Sequence, residues 1–237
     1  MSRLQGSIGS VLALAWFSLA CADLNLEDFE QALQTYAAGG DTAAGLREAL
    51  EVGTANAVAS TSAQNGFLDN PLIRIGLPDS FDSMATGLRV AGFGPQLDDF
   101  EGSMNRAAEL ASGEAKEVFW AGIRQMTFRD AQEILHGGDT AATNYFERTT
   151  RDDLELRFRP IVDAKLGETG VVRSYDALVG RYTAMPFAKE PSFEPRNYVT
   201  QKALDGLFTV LGEEETRIRT DPAARTSELL RQVFGSQ

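Results

Sequence analysis

His136 is the one histidine in the 237 residues, and it stands in Glu133-Ile134-Leu135-His136 directly before Gly137-Gly138. Glu-x-x-His on a helix is the spacing of carboxylate-bridged di-iron bundles, which need two such motifs and two histidines. One histidine leaves that centre incomplete. A Ser-His-Asp triad would also have to use His136, and no G-x-S-x-G elbow occurs in the chain. A histidine in the last turn of a helix, just before glycine, complements the helix dipole, and that is the role expected of it.

The glycines after His136 belong to a hexapeptide, GGDTAA, that occurs at Gly39–Ala44 and again at Gly137–Ala142. Glycine pairs beside a helix start can cradle an anion, but a phosphate loop needs a P-loop lysine or a preceding strand, and neither copy has one. The alternative is punctuation. A glycine ends one helix, and Asp or Thr then offers an acceptor to the free amides of the next. Both copies are read this way.

Carboxylates are the remaining reactive groups. Asp98, Asp99, Glu101, Glu109, Glu114 and Glu117 crowd one region and could hold a hard cation through oxygens alone, although no D-x-D-x-D-G calcium loop is present. Acids spread along exposed helix faces are expected instead, as a solvated surface. Glu213-Glu214-Glu215 ahead of Arg217 and Arg219 reads as surface pairing, worth about 0.3–0.5 kcal/mol per pair. Arg148, Arg151, Arg157 and Arg159 are interleaved with Glu147, Asp152, Asp153 and Glu155, so self-pairing is expected there too.

The chemistry is further bounded by the N-terminus. MSRLQGS carries Arg3, IGSVLALAWFSLA is a short apolar run, and small residues surround Cys21. This is the pattern of a secretory signal peptide, too short for the roughly 20 residues that cross a bilayer. Ala20 and Ala22 make an A-x-A cleavage site, while Ser18-Leu19-Ala20-Cys21 is an imperfect lipoprotein box. The first gives a periplasmic protein beginning at Asp23; the second anchors Cys21 to the membrane through lipid. No other cysteine exists, so disulfides, thiol nucleophiles and cysteine metal sites are not expected in the mature chain. Residues 23–237 carry 21 bases against 34 acids, a net charge of −13. Such a chain repels phosphate backbones, and nucleic acid is not an expected partner.

The elements that must position these groups are helical almost everywhere. Leu204, Leu207, Phe208 and Leu211 recur at spacings of three and four; so do Val118, Phe119, Gly122, Ile123 and Met126, and Leu154, Phe158 and Ile161. Helix starts are expected at Asn25/Asp28, Asp79/Asp82 and Thr150/Asp153, with a terminal helix after Asp221-Pro222. Pro160 should kink or divide its helix. Asn65–Phe81 is the least helical stretch, an extended loop or one short strand, and Met185–Asn197, with Pro186, Pro191 and Pro195, is a second loop that could pack on it.

The expected fold is therefore all-α: a single domain of about eight to ten helices with one short extended segment. Residues 1–22 form the signal peptide, 23–44 an N-terminal helix and linker, and 45–237 the helical domain. Polar residues embedded in otherwise apolar helices, namely Asn105, Arg106, Asp130, Lys202 and Asp205, are the candidate ligand-binding set. Buried polar groups require partners, so they form either a core network or the lining of a pocket. No catalytic residue, metal ligand or cofactor is assigned. The functional expectation is a non-enzymatic envelope protein that binds a partner protein or small ligand; a carboxylate-dependent hydrolase or metal-dependent enzyme is the alternative, and apolar ligand transport a third possibility.

Several segments together resemble one family. They are GLREALEVGT (Gly45–Thr54), NGFLDNPLIRIGLP (Asn65–Pro78), SMNRAAE (Ser103–Glu109), QMTFRDAQEILHGGDTAATNYF (Gln125–Phe146), FRPIV (Phe158–Val162), YVTQKALDGLF (Tyr198–Phe208) and DPAARTSELLRQVFG (Asp221–Gly235). The chain resembles the exported bacterial family catalogued as domain of unknown function 4197, from about Gly45 to Gly235. The resemblance implies a helical, cell-envelope domain of Gram-negative bacteria without assigned biochemistry, and it carries over no catalytic residues. The first GGDTAA copy falls just upstream of it.

Overall fold

The computed structural model describes residues 26–168, 171–184, 188, 193–225 and 231. The signal segment with Cys21, and most of the helix expected after Pro222, lie outside these residues. The chain divides into two compact units, Met1–Ala38 and Gly39–Gln237. The core, the helix caps and the groove, all beyond Ala38 in the chain, lie in the second.

Among the described residues there are eight α-helices and no strand. They are α1 (Leu26–Ser62), α2 (Asp82–Val90), α3 (Gly94–Ser112), α4 (Ala115–Gln125), α5 (Phe128–Leu135), α6 (Ala141–Glu168), α7 (Val171–Thr183) and α8 (Pro195–Thr220), with 3-10 turns at Asp79–Phe81 and Pro222–Ala224. Helices α3, α6 and α8 pack on one another at the centre, α4 and α5 lie on α6, and α2 and α7 lie on α3.

The core follows the periodicity. Leu204, Leu207, Phe208, Leu211 and Ile218 of α8 are buried, as are Leu154, Phe158, Val162 and Leu166 of α6 and Val118, Phe119 and Ile123 of α4. Phe119 stands edge-on to Phe146 at 5.3 Å and to Phe208 at 6.0 Å between ring centres. A smaller apolar cluster of Phe81, Met84, Leu88, Leu97 and Leu178 joins α2, α3 and α7.

Three expected boundaries are overturned. Helix α1 runs through the first GGDTAA copy, so Gly39-Gly40 is helix and not a turn. Each glycine costs about 1 kcal/mol relative to alanine, a penalty that the alanines on both sides help a long helix to absorb. Thr150 starts no helix; it sits inside α6, its hydroxyl donating to Phe146 O at 2.6 Å. Pro160 does not divide α6 either. The proline forfeits about 3 kcal/mol, but Leu154, Phe158, Val162 and Leu166 are completely buried on both sides of it, at about 1.5–3 kcal/mol each.

Asn65–Phe81 is an extended loop: turns through Ile73, then extended backbone from Arg74 to Pro78, with no strand. The described end of the second loop packs on it, Phe193 lying edge-on to Phe81 at 4.8 Å and the Tyr198 hydroxyl donating to Gly76 O at 3.0 Å.

Candidate functional site

Two rows of polar side chains flank the Asn65–Pro78 loop. On α3, Glu101, Asn105 and Glu109 recur every four residues and therefore share one face. Glu101 pairs with Arg74 at 3.3 Å, and Glu109 accepts from Phe67 N at 3.4 Å. Between them, completely buried Asn105 accepts from Ile75 N at 2.8 Å and donates to Ile75 O at 2.9 Å and to Glu101 O at 2.8 Å. The carboxamide thus engages the extended backbone as a neighbouring strand would, meeting both polar groups of one residue.

On α8, Tyr198, Lys202, Asp205 and Thr209 follow at spacings of four, three and four, again one face. Together with Arg74, Gly76 and their neighbours they line a solvent-open groove of ≈ 190 Å³. This is smaller than the roughly 300–1,000 Å³ of drug-sized ligand sites. Backbone polar groups alternate sides along an extended chain, so Ile75 faces Asn105 while Gly76 faces α8. The bond from Tyr198 to Gly76 O fits that alternation. Among the described residues nothing accepts from Gly76 N–H, and a Cβ on Gly76 would meet open space.

The groove is electrostatically two-ended. The Lys202 ammonium lies 5.9 Å from the centre of the Tyr198 ring and makes no ion pair among the described residues. Asp205 receives Arg151 at 2.6 Å through Oδ1. Burial raises the Tyr198 hydroxyl above the ordinary tyrosine value of 10.0, with the charges of Asp79 and Glu101 adding to it, so it stays a donor in neutral solution.

Of the sequence-selected residues, Lys202 and Asp205 line this groove and Asn105 supports it from behind. Arg106 is exposed and pairs with Glu109 at 2.9 Å. Asp130 is elsewhere: its carboxylate accepts from Thr127 N at 2.9 Å and from the Thr127 hydroxyl at 2.7 Å, while Thr127 Oγ1 accepts from Asp130 N. This is a capping box at the start of α5, and those Thr127 bonds hold Asp130 below the ordinary carboxylate value.

The second GGDTAA copy separates α5 from α6, as expected of punctuation, but by a different device. His136 is exposed, its Nδ1 2.9 Å from Gln132 O. Neither Gly137 nor Gly138 has positive φ. Gly137 is required by crowding, because a Cβ there would stand 2.5 Å from the Ala141 methyl and 2.7 Å from Glu133 O. The acceptor for the first α6 amides comes from α8. Glu215 receives Ala142 N at 2.9 Å, Thr143 N at 2.8 Å and the Thr143 hydroxyl at 2.8 Å. Arg219 pairs with Glu215 through two nitrogens at 3.0 and 2.8 Å and donates to Ile134 O, near the end of α5, at 2.8 Å.

The reading of Glu215 and Arg219 as a surface pair is therefore wrong: their side chains are only 8% and 9% exposed. The signal was present, since Glu215 falls four residues after Leu211 and three before Ile218 on the apolar stripe. Glu214 pairs with Arg217. Glu109 is likewise buried, against expectation, because it serves the Phe67 amide. The arginine region self-pairs as read, Arg151 with Glu147 and Arg159 with Glu155, and Arg151 additionally reaches Asp205. Asp98, Asp99, Glu114 and Glu117 are exposed. Among the described residues no group of three or more His, Cys, Asp or Glu side chains is placed to hold a metal ion, and no helix is long and apolar enough to cross a membrane.

Fold and site together define an all-helical domain with an internally capped core and a polar groove between a loop and a helix. The chain belongs to the family described as Protein of unknown function (DUF4197), whose model matches residues 37–235. That span takes in the first GGDTAA copy, which the resemblance alone had placed outside. Comparisons with curated proteins and with solved structures give no match.

Proposed function

We propose that this is an exported, non-catalytic protein of the bacterial cell envelope that binds a small polar ligand or a partner segment in the groove between Arg74–Leu77 and α8. Export is supported by the charged, apolar and small-residue zones of residues 1–22. The observation that carries the binding reading is Lys202, a cation without an ion pair among the described residues, beside an open backbone amide at Gly76. A binding site needs a few fixed polar groups on a rigid frame. Asn105, Glu101 and Glu109 supply that frame by fixing the loop. The set Asn105, Arg106, Asp130, Lys202 and Asp205 accordingly separates into ligand-facing Lys202 and Asp205, loop-holding Asn105, Arg106 as an exposed partner of Glu109, and Asp130 as a helix cap.

The test is mass spectrometry of protein purified from the periplasmic and membrane fractions of its own cells. Intact mass reports either a chain beginning at Asp23 or a lipidated Cys21. Native spraying should retain a co-purified small molecule or peptide that Lys202→Met loses. A bound species equally retained by Lys202→Met contradicts the groove as its site.

A further inference from the structure

The groove presents one cation and one anion at separate points. Lys202 and Asp205 are three residues apart on α8, so their Cβ atoms lie about 5–6 Å apart on one face. Lys202 turns towards the Tyr198 ring, at the end where Gly76 N–H is open. Asp205 is held by Arg151 through Oδ1, and this bond aligns the carboxylate without occupying Oδ2. A lone organic anion would bring its charge towards Asp205 in a chain of net charge −12. A lone amine would leave Lys202 and Gly76 N–H without a counterpart. Among the described residues a phosphate dianion finds one unengaged cation at the groove, since Arg74 is committed to Glu101 at 3.3 Å. A ligand carrying both charges meets both ends and adds no net charge.

We infer that the groove takes a small zwitterion, a free α-amino acid or a short peptide, with its carboxylate on Lys202 and Gly76 N–H and its ammonium on Asp205. This rests on the groove being the ligand site. The two hydrogen-bonding ends are charge-assisted and fix the ligand's direction along α8. With ≈ 190 Å³ of space the site selects for small side chains. Lys202 and Asp205 are both exposed, so replacing either removes a contact without opening the core.

Isothermal titration of the purified protein with L-alanine, L-alanyl-L-alanine, propionate and ethylamine tests the inference. At least one zwitterion should bind, about tenfold or more tightly than both single-charge probes, and Lys202→Met and Asp205→Asn should each weaken it about tenfold or more. Thermal melts of both variants keep loss of binding separate from loss of fold. Tighter binding of alanine than of the dipeptide assigns a free amino acid; the reverse assigns a peptide end. The inference is overturned if neither zwitterion binds at concentrations up to about 10 mM. It is overturned equally if propionate or ethylamine matches the better zwitterion, or if Asp205→Asn binds it as wild type does. A single-charge probe whose binding Lys202→Met weakens would leave the groove reading intact while removing the zwitterion; binding indifferent to both substitutions would remove the groove.

Discussion

Replacing Glu215 with leucine is the perturbation that most sharply separates a buried organising carboxylate from a surface one. The substitution removes the acceptor for Ala142 N, Thr143 N and the Thr143 hydroxyl, and it takes the paired carboxylate from Arg219, whose side chain is 9% exposed. Breaking a buried ion pair from one side costs about 3–5 kcal/mol, against about 0.3–0.5 kcal/mol for an exposed helix pair. Domains of this size are stable by about 5–15 kcal/mol, so the variant should be close to the threshold of folding. At about 2–4 °C per kcal/mol the melting point should fall by roughly 6–20 °C. Glu215→Gln keeps one oxygen acceptor but turns an amide donor towards the α6 N-terminus, and should lose about 1–3 kcal/mol. The double variant Glu215→Leu/Arg219→Met also removes the buried cation that has lost its carboxylate and should be more stable than Glu215→Leu alone, although the α6 amides stay unmet. Urea unfolding followed by circular dichroism at 222 nm measures all three. Glu215→Leu within about 1 kcal/mol of wild type would refute the buried-pair reasoning. So would a double variant no more stable than Glu215→Leu alone.

Asn105→Leu removes three hydrogen bonds and should cost about 2–4 kcal/mol in urea unfolding, with the Ile75 amide losing its exchange protection. Gly206→Ala should destabilise by about 1–3 kcal/mol, because its methyl would stand 2.5 Å from the Phe67 ring, whereas Gly180→Ala in open space should be neutral or gain up to about 1 kcal/mol. Burial raises Tyr198 and Tyr145, so both titrate above the ordinary value of 10.0. Their neutral forms favour the fold, a contribution complete below pH 10.0 and lost as pH rises through the folded values; absorbance at 295 nm should show a late-titrating fraction that Tyr198→Phe reduces. Asp130 is depressed below 3.8, so its contribution is complete above that pH and lost as pH falls through the lower folded value; Asp130→Asn should cost about 0.5–2 kcal/mol at pH 7 and progressively less in acid.

Helical periodicity made the core legible, because Leu204, Leu207, Phe208 and Leu211 repeat at the interval that turns one face inward. Boundaries were less so. Gly39-Gly40 and Gly137-Gly138 are the same dipeptide in the same hexapeptide, yet one lies within a helix and the other between two. The hexapeptide is the same, but its flanks differ, Ala37-Ala38 before the first copy and Leu135-His136 before the second, and at the second copy Glu215, more than seventy residues away, supplies the acceptor for the new helix. Lys202 and Asp205 were identifiable as polar residues in an apolar helix. Arg74 and Gly76, which line the groove with them, were not, because a groove wall made of loop backbone has no side-chain signature. Asn105 looked the same as Arg106 in sequence; burial on the loop side of α3 gave them opposite roles.

Amide hydrogen exchange at two adjacent residues tests the central claim, that the loop is fixed on its α3 edge and open on its α8 edge. Ile75, bonded to Asn105, should exchange only through large-scale opening, and Gly76, facing the groove, should exchange at close to the rate of a free amide. Rapid exchange at both would contradict the account by showing an unfixed loop, and slow exchange at both would contradict it by showing the groove edge already closed within the protein.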